Sequence, residues 1–245
     1  MKAKLTLLKA VIGVAILVFL LSFSAQRHAD KGVKDIRIQI DHEAGTYFVN
    51  DSLVRTMLDG KQLKVSQTPL GNLNISEIEK TLDHNPFIKK SQVFQDLNGD
   101  MSVRIVQNQP IARVNTGTDE YYLTVEQAKI PLSNLYSAEV ILVGGPIKKE
   151  DYKNLIELIQ FISADKLLKK HIIAIRKQQP NSFILLVNKG DYVIEFGELK
   201  DFENKFEKLK LFYNQYLGKV GMNYYKKINL KFNNQIVATK RDSDE

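Results

Sequence analysis

The sequence predicts an α+β protein carried on a single transmembrane helix: a small strand-helix-helix-strand-strand domain, then a mixed sheet domain with two helices. Three observations predict it. A long uncharged run lies near the start of the chain, short apolar stretches of two-residue and helical periodicity alternate through the rest, and Asn-Gly or Gly-Asp turn signals separate several of them.

The uncharged run, Ala10 to Gln26, is 17 residues long, with Lys2, Lys4 and Lys9 before it and Arg27 and Lys31 after it. A helix from Leu5 to Ser24 is about 30 Å long, the thickness of a bilayer's hydrocarbon core, with Lys9 reaching back to the headgroups. The span is assigned to residues 5–25, behind a cytoplasmic tail at 1–4. Basic residues without an acid before the run put the amino terminus in the cytoplasm and the bulk of the chain outside the cytoplasmic membrane. Two other readings share the pattern: a buried core helix, and a cleaved signal peptide, for which Ser22-Phe23-Ser24 fits better than Phe23-Ser24-Ala25.

The chain has 245 residues, room for two modest domains. Its formal net charge is +7, of which Lys2, Lys4 and Lys9 supply three. Lysines elsewhere are mixed with aspartates and glutamates, which describes a solvated surface and argues against nucleic acid as a partner. The absence of cysteine excludes disulfides and thiolate metal sites. His28, His42, His84 and His171 lie far apart with no ligand spacing, so no metal or cofactor is expected.

The first domain is assigned to residues 33–113. From Lys34 to Asp41, Ile36, Ile38 and Ile40 share one parity, the pattern of a half-buried strand. Leu53, Val54, Met57 and Leu58 have helical spacing behind the capping residues Asn50 and Asp51, and Gly60 marks the stop. Asn74-Ile75-Ser76-Glu77 resembles a capping box, opening a helix that buries Ile75, Ile78 and Leu82 and ends at Pro86. Ile88 to Gln95 and Met101 to Gln107 read as strands joined through Asp96 to Asp100, where Asn98-Gly99 predicts a type I′ hairpin turn.

The second domain is assigned to 114–240, with a charged tail at 241–245. Strands are expected at Tyr121 to Val125, Val140 to Val143, Ile172 to Lys177, Phe183 to Val187 and Tyr192 to Phe196. One helix, Glu150 to Ser163, buries Leu155, Ile156, Leu158, Ile159 and Ile162. A second, Lys200 to Leu217, sets Phe202, Phe206, Leu209, Tyr213 and Tyr216 along one side. Lys226 to Lys240 reads as one long last strand, with Ile228, Leu230, Phe232, Ile236 and Ala238 on one parity.

Motifs for chemistry are incomplete. Ser163-Ala164-Asp165-Lys166 fits S-x-x-K but has no S-D-N or K-T-G partner. Asp96-x-Asn98-x-Asp100 opens like a calcium loop, yet Met101 and Gln107 stand where glycine and the bidentate glutamate belong. Gly144-Gly145-Pro146 lacks the ending of a phosphate loop. No enzyme is expected.

After the uncharged run comes Ile78-x-x-x-Leu82-x-x-Asn85-Pro86-Phe87-Ile88-x-x-x-x-Val93, then Gln109-Pro110-Ile111-Ala112. This series resembles the polypeptide-transport-associated (POTRA) domain of the bacterial division family FtsQ/DivIB. Tyr121-Tyr122-Leu123 through Ile130-Pro131-Leu132, Leu142-Val143-Gly144-Gly145, Gly190 to Gly197, Ile228 to Phe232 and Gln235-Ile236-Val237 are similar to that family's β domain. One departure is Thr124 to Lys129, where many members carry an aspartate and a glycine.

The resemblance implies a divisome scaffold that binds FtsB-like and FtsL-like partners outside the membrane and links them to septal peptidoglycan synthesis, with no small-molecule substrate. A physical route is a partner strand added to a sheet edge formed by Lys226 to Thr239. Phe232, Asn234, Gln235, Ile236 and Val237, with Lys231, are the candidate partner-binding residues, and Lys200, Lys205 and Lys208 are candidates to meet acidic partner residues. Ile228 and Leu230 read as core. Two rivals are a POTRA-type component of a protein assembly or secretion system, and a secreted cell-wall enzyme released by signal cleavage.

Overall fold

The computed structural model describes residues 11–23, 31–42, 45–96, 98–179, 181–233 and 235–241. Residues 11–23 are helical (α1) and exposed. Among the described residues no helix is long and apolar enough to cross a membrane. The predicted tail 1–4, both ends of the predicted span (5–10 and 24–25), Asn234 and residues 242–245 lie outside the described residues. The rest of the chain divides after Asn108 into two units.

In the first unit, β1 (Ile36–Asp41) pairs in parallel with β3 (Met101–Gln107), which pairs antiparallel with β2 (Ile88–Gln95). Two helices, α2 (Asp51–Leu58) and α3 (Ile75–Asp83), lie between β1 and β2 in sequence. Asn50 caps α2 by accepting from Leu53 N, and Asn74 caps α3 by accepting from Glu77 N. Val54, Leu58, Ile78 and Leu82 from the helices are buried, as are Ile36, Val103 and Ile105 from the strands. Each element follows its predicted periodicity. The β2–β3 turn is one residue longer than type I′: Asp96 N–H donates to Asp100 O, Gly99 N–H donates to Asp96 O, and Gly99 is left-handed at φ +91°. Asp96 organises this turn, its Oδ1 accepting from Asn98 N and Asp100 N at 2.9 Å. Those backbone donors, Asp100 first, hold the Asp96 carboxyl below the usual carboxylate range despite some desolvation.

The second unit is a nine-stranded sheet in the order β12-β11-β10-β9-β8-β7-β4-β5-β6. Its strands are β4 (Pro110–Asn115), β5 (Glu120–Thr124), β6 (Lys129–Ile130), β7 (Ile141–Gly144), β8 (Ile172–Gln179), β9 (Ser182–Val187), β10 (Val193–Gly197), β11 (Tyr225–Asn229) and β12 (Val237–Lys240). Helices α4 (Tyr152–Ala164), α5 (Lys166–His171), α6 (Phe202–Phe212) and the short α7 (Gly218–Val220) complete it. Leu155, Leu158 and Ile159 of α4 and Phe206 and Leu209 of α6 share one core with Val114, Leu123, Val143, Ile175, Leu185, Ile194 and Ile228 of the strands.

Four differences from the sequence reading have physical causes. Residues 110–113 belong to this unit, because β4 pairs with β5 on one side and β7 on the other. The helix predicted to run to Leu217 passes into a π-helical turn, Tyr213–Leu217. The wider turn shifts the helix face, so Leu217 is buried at 2% exposure while Tyr216, predicted to share the stripe, is 54% exposed. The single long strand from Lys226 to Lys240 is two strands, β11 and β12, folded back on each other. At the turn after β5, where glycine is common in the similar family, Gln127 itself adopts φ +64° and donates its N–H to Thr124 O.

Candidate functional site

The carboxyl-terminal border of the sheet is the candidate site. β11 lies between β10, in parallel register, and β12, antiparallel to it, so its backbone is occupied on both sides. β12 closes the strand order, and its outer border pairs with no strand among the described residues. Arg241 N–H donates to Tyr224 O, and by the alternation of an antiparallel ladder Val237, Thr239 and Arg241 turn their backbone groups to β11. The N–H and C=O groups of Ala238 and Lys240 therefore point to the open border.

The β11–β12 connection is held from below. Glu195 of β10 collects Lys227 at 2.9 Å, Lys231 at 3.2 Å and the Asn229 amide at 2.8 Å. Burial pushes the Glu195 carboxyl up, but the two ammonium groups outweigh it, and its pKa lies below the ordinary glutamate value. Gly197 ends β10 at φ +76°, and a Cβ there would sit 2.7 Å from Lys231 Cγ, so glycine lets the Lys231 stem cross the strand end. From α6, Lys208 Nζ donates to the carbonyl oxygens of Phe232 at 2.8 Å and Asn233 at 2.6 Å.

Of the predicted site residues, Phe232 is 46% and Val237 42% exposed, and Lys231 and Gln235 are exposed beside them. Ile236 packs partly into the core. Ile228 and Leu230 are fully buried. The three α6-region lysines part company. Lys200 is exposed and paired with Glu198, whose hydrogen bond raises its pKa. Lys208 positions the loop that presents Phe232. Lys205 is buried, donating to Phe196 O at 3.0 Å and Glu198 O at 2.8 Å with its ammonium 4.3 Å from the centre of the Phe196 ring. Burial lowers its pKa. It faces the protein's own carbonyls and not solvent.

Sequence reasoning passed over Glu195 and Ala238. A lone carboxylate inside the apolar run Tyr192 to Phe196 was the signal for the first. For the second, local sequence held none, because which backbone groups stay open depends on the register of two strands. Ser163 of the S-x-x-K pattern lies in the last turn of α4, and among the described residues no cluster of histidines and carboxylates is placed to hold a metal.

A βααββ domain followed by a mixed sheet with a short open terminal strand defines a two-domain scaffold of the POTRA-plus-β-domain class. Residues 32–106 match the POTRA-like domain, and residues 109–239 match FtsQ/DivIB, C-terminal related. The second match spans more than half the chain, which belongs to that FtsQ/DivIB-related family. Both are non-catalytic scaffold domains, and together they support a role in the bacterial division machinery. No curated protein matches the chain.

Proposed function

We propose that this protein is a bitopic inner-membrane scaffold of the divisome. In this reading it spans the membrane once through residues 5–25 with its amino terminus cytoplasmic. Its second domain binds FtsB-like and FtsL-like partners outside the membrane and links them to septal peptidoglycan synthesis, without catalysis of its own. The supporting observation is the open border of β12 beside an exposed Phe232 and Val237.

Magnitudes say how such docking must work. The exposed N–H and C=O groups of Ala238 and Lys240 accommodate about four backbone hydrogen bonds, each contributing about 0.5–1.5 kcal/mol net. Micromolar affinity needs about 8 kcal/mol. Backbone pairing alone falls short, and Phe232 and Val237, already more than half buried, add only about half of the 1.5–3 kcal/mol of a full burial each, so they set the register while partner contacts beyond this border supply the remainder.

The test is Ala238→Pro. Proline removes an N–H that points away from β11, so the domain keeps its ladder and its circular dichroism while copurification of the FtsB-like partner from solubilised membranes drops at least about tenfold. Undiminished copurification with a folded Ala238→Pro protein rules out strand addition at this border. Topology is tested separately: a reporter fused after Glu245 is active outside the cytoplasm, and cytoplasmic activity overturns the single-span reading.

A further inference from the structure

A second surface of this unit shares no residue with β12 or its loop. Where α5, the π-helical turn and the β9–β10 connection meet, the second unit forms an open-sided pocket of about 350 Å3. Leu167, Leu217 and Met222 supply apolar wall, and Leu167 and Met222 are more than 40% exposed although large and apolar. Lys170 and Lys189 line the same pocket. Among the described residues neither is ion-paired, and no carboxylate lines the pocket.

The polar floor is a chain of hydrogen-bonded side chains. His171, on α5, is buried at 8% exposure, and its Nε2 lies 2.8 Å from the Tyr192 hydroxyl. The Tyr192 and Tyr213 hydroxyls are hydrogen-bonded to each other at 3.1 Å. Burial raises the pKa of both tyrosines, and both stay protonated. Burial, aided by the Lys189 charge, lowers that of His171. Tyr213 lines the pocket at the end of this chain of hydrogen bonds. It sits on the π-helical turn, a distortion common at functional sites.

We propose that this pocket is a binding site for a small carboxylate bearing an aromatic or branched apolar arm. The two ammonium groups and the Tyr213 hydroxyl receive the carboxylate, and the arm enters between Leu167, Leu217 and Met222. The size suits it: a cavity of about 150 Å3 already holds benzene, and ligand pockets begin at about 300 Å3. Lys170 and Lys189 are exposed at the rim, so a purely apolar ligand gains nothing from their charge, and a bare anion would leave the apolar wall wet.

The full chain, solubilised and labelled at methionine methyls and tyrosine rings, is titrated with 3-phenylpropionate, with 3-phenylpropanamide and with propionate. Saturable NMR shifts at Met222 and Tyr213 are expected with 3-phenylpropionate, and at least about tenfold weaker binding with the other two. Tyr213→Phe and the double variant Lys170→Gln/Lys189→Gln each weaken 3-phenylpropionate about tenfold while remote methyl resonances stay in place. Equal binding of the amide shows apolar partitioning only, and equal binding of propionate shows a bare anion site. Either result overturns the proposal, as does the absence of saturable shifts or undiminished binding in both variants.

Discussion

Lys205 is held by two carbonyl oxygens and an aromatic ring, an arrangement that satisfies a buried ammonium without a carboxylate. Removing the ammonium takes that donor from the Phe196 carbonyl at the end of β10, while the Glu198 carbonyl keeps the Lys200 N–H at 2.9 Å. Lys205→Met is therefore expected to lower unfolding free energy by about 1–3 kcal/mol in urea denaturation. Lys200→Met, changing an exposed side chain, should stay within about 0.5 kcal/mol. The two lysines look alike in composition but not in spacing. Lys205 falls three residues after Phe202 and four before Leu209, on the apolar stripe of α6, and that placement could have marked it as buried. Gly145 was less legible. Its φ of +101°, with a Cβ position 2.3 Å from Lys177 O, arises from a strand remote in sequence.

Among elements, those whose apolar period matches their structure were readable: β1, α2, α3, β2 and β3 of the first unit, and α4 and β9 of the second. The break between β11 and β12 was hidden by a shared parity running from Ile228 to Ala238, although Asn233-Asn234 carries a turn signal inside it. The π-helical turn has no such signature; it follows from packing that seats Leu217 in the core. The His171-Tyr192-Tyr213 chain joins three elements and was equally invisible, yet it gives the fold a pH dependence. Burial first, and then the Lys189 charge, set the folded His171 pKa below its ordinary value of 6.5. The unfolded chain therefore binds the proton more readily, and stability is fully present above pH 6.5 and declines as pH falls toward the folded value. The slope from this group is at most about 1.4 kcal/mol per pH unit. Urea unfolding between pH 7.5 and 5 should show the decline, and His171→Gln should flatten it. An unchanged slope in that variant would assign the effect to other groups.

At the scale of the whole molecule, the order of domains was legible because each domain carries its own periodic elements, but the join was not. The strand Pro110–Asn115 begins with a proline and follows a polar Asn108-Gln109 pair, so no strand is read there, and Gln109-Pro110-Ile111-Ala112 goes with the POTRA resemblance to the first domain. In three dimensions it is interior to the second sheet, with β5 and β7 on its two sides and Ala112 and Val114 fully buried. A chain cut between Asn108 and Gln109 separates two sets of elements that each retain a hydrophobic core. A fragment of residues 109–241 should then fold, with a cooperative thermal transition and dispersed NMR resonances. Starting at residue 114 instead deletes four of the six β4 residues and leaves β5 and β7 with unpaired facing backbone. That fragment is expected to aggregate or to lose its cooperative transition, because unpaired interior strand edges and a missing Ala112 remove both ladder and packing. Cooperative folding of the shorter fragment would show that β4 is dispensable to the sheet and that the second unit begins beyond it.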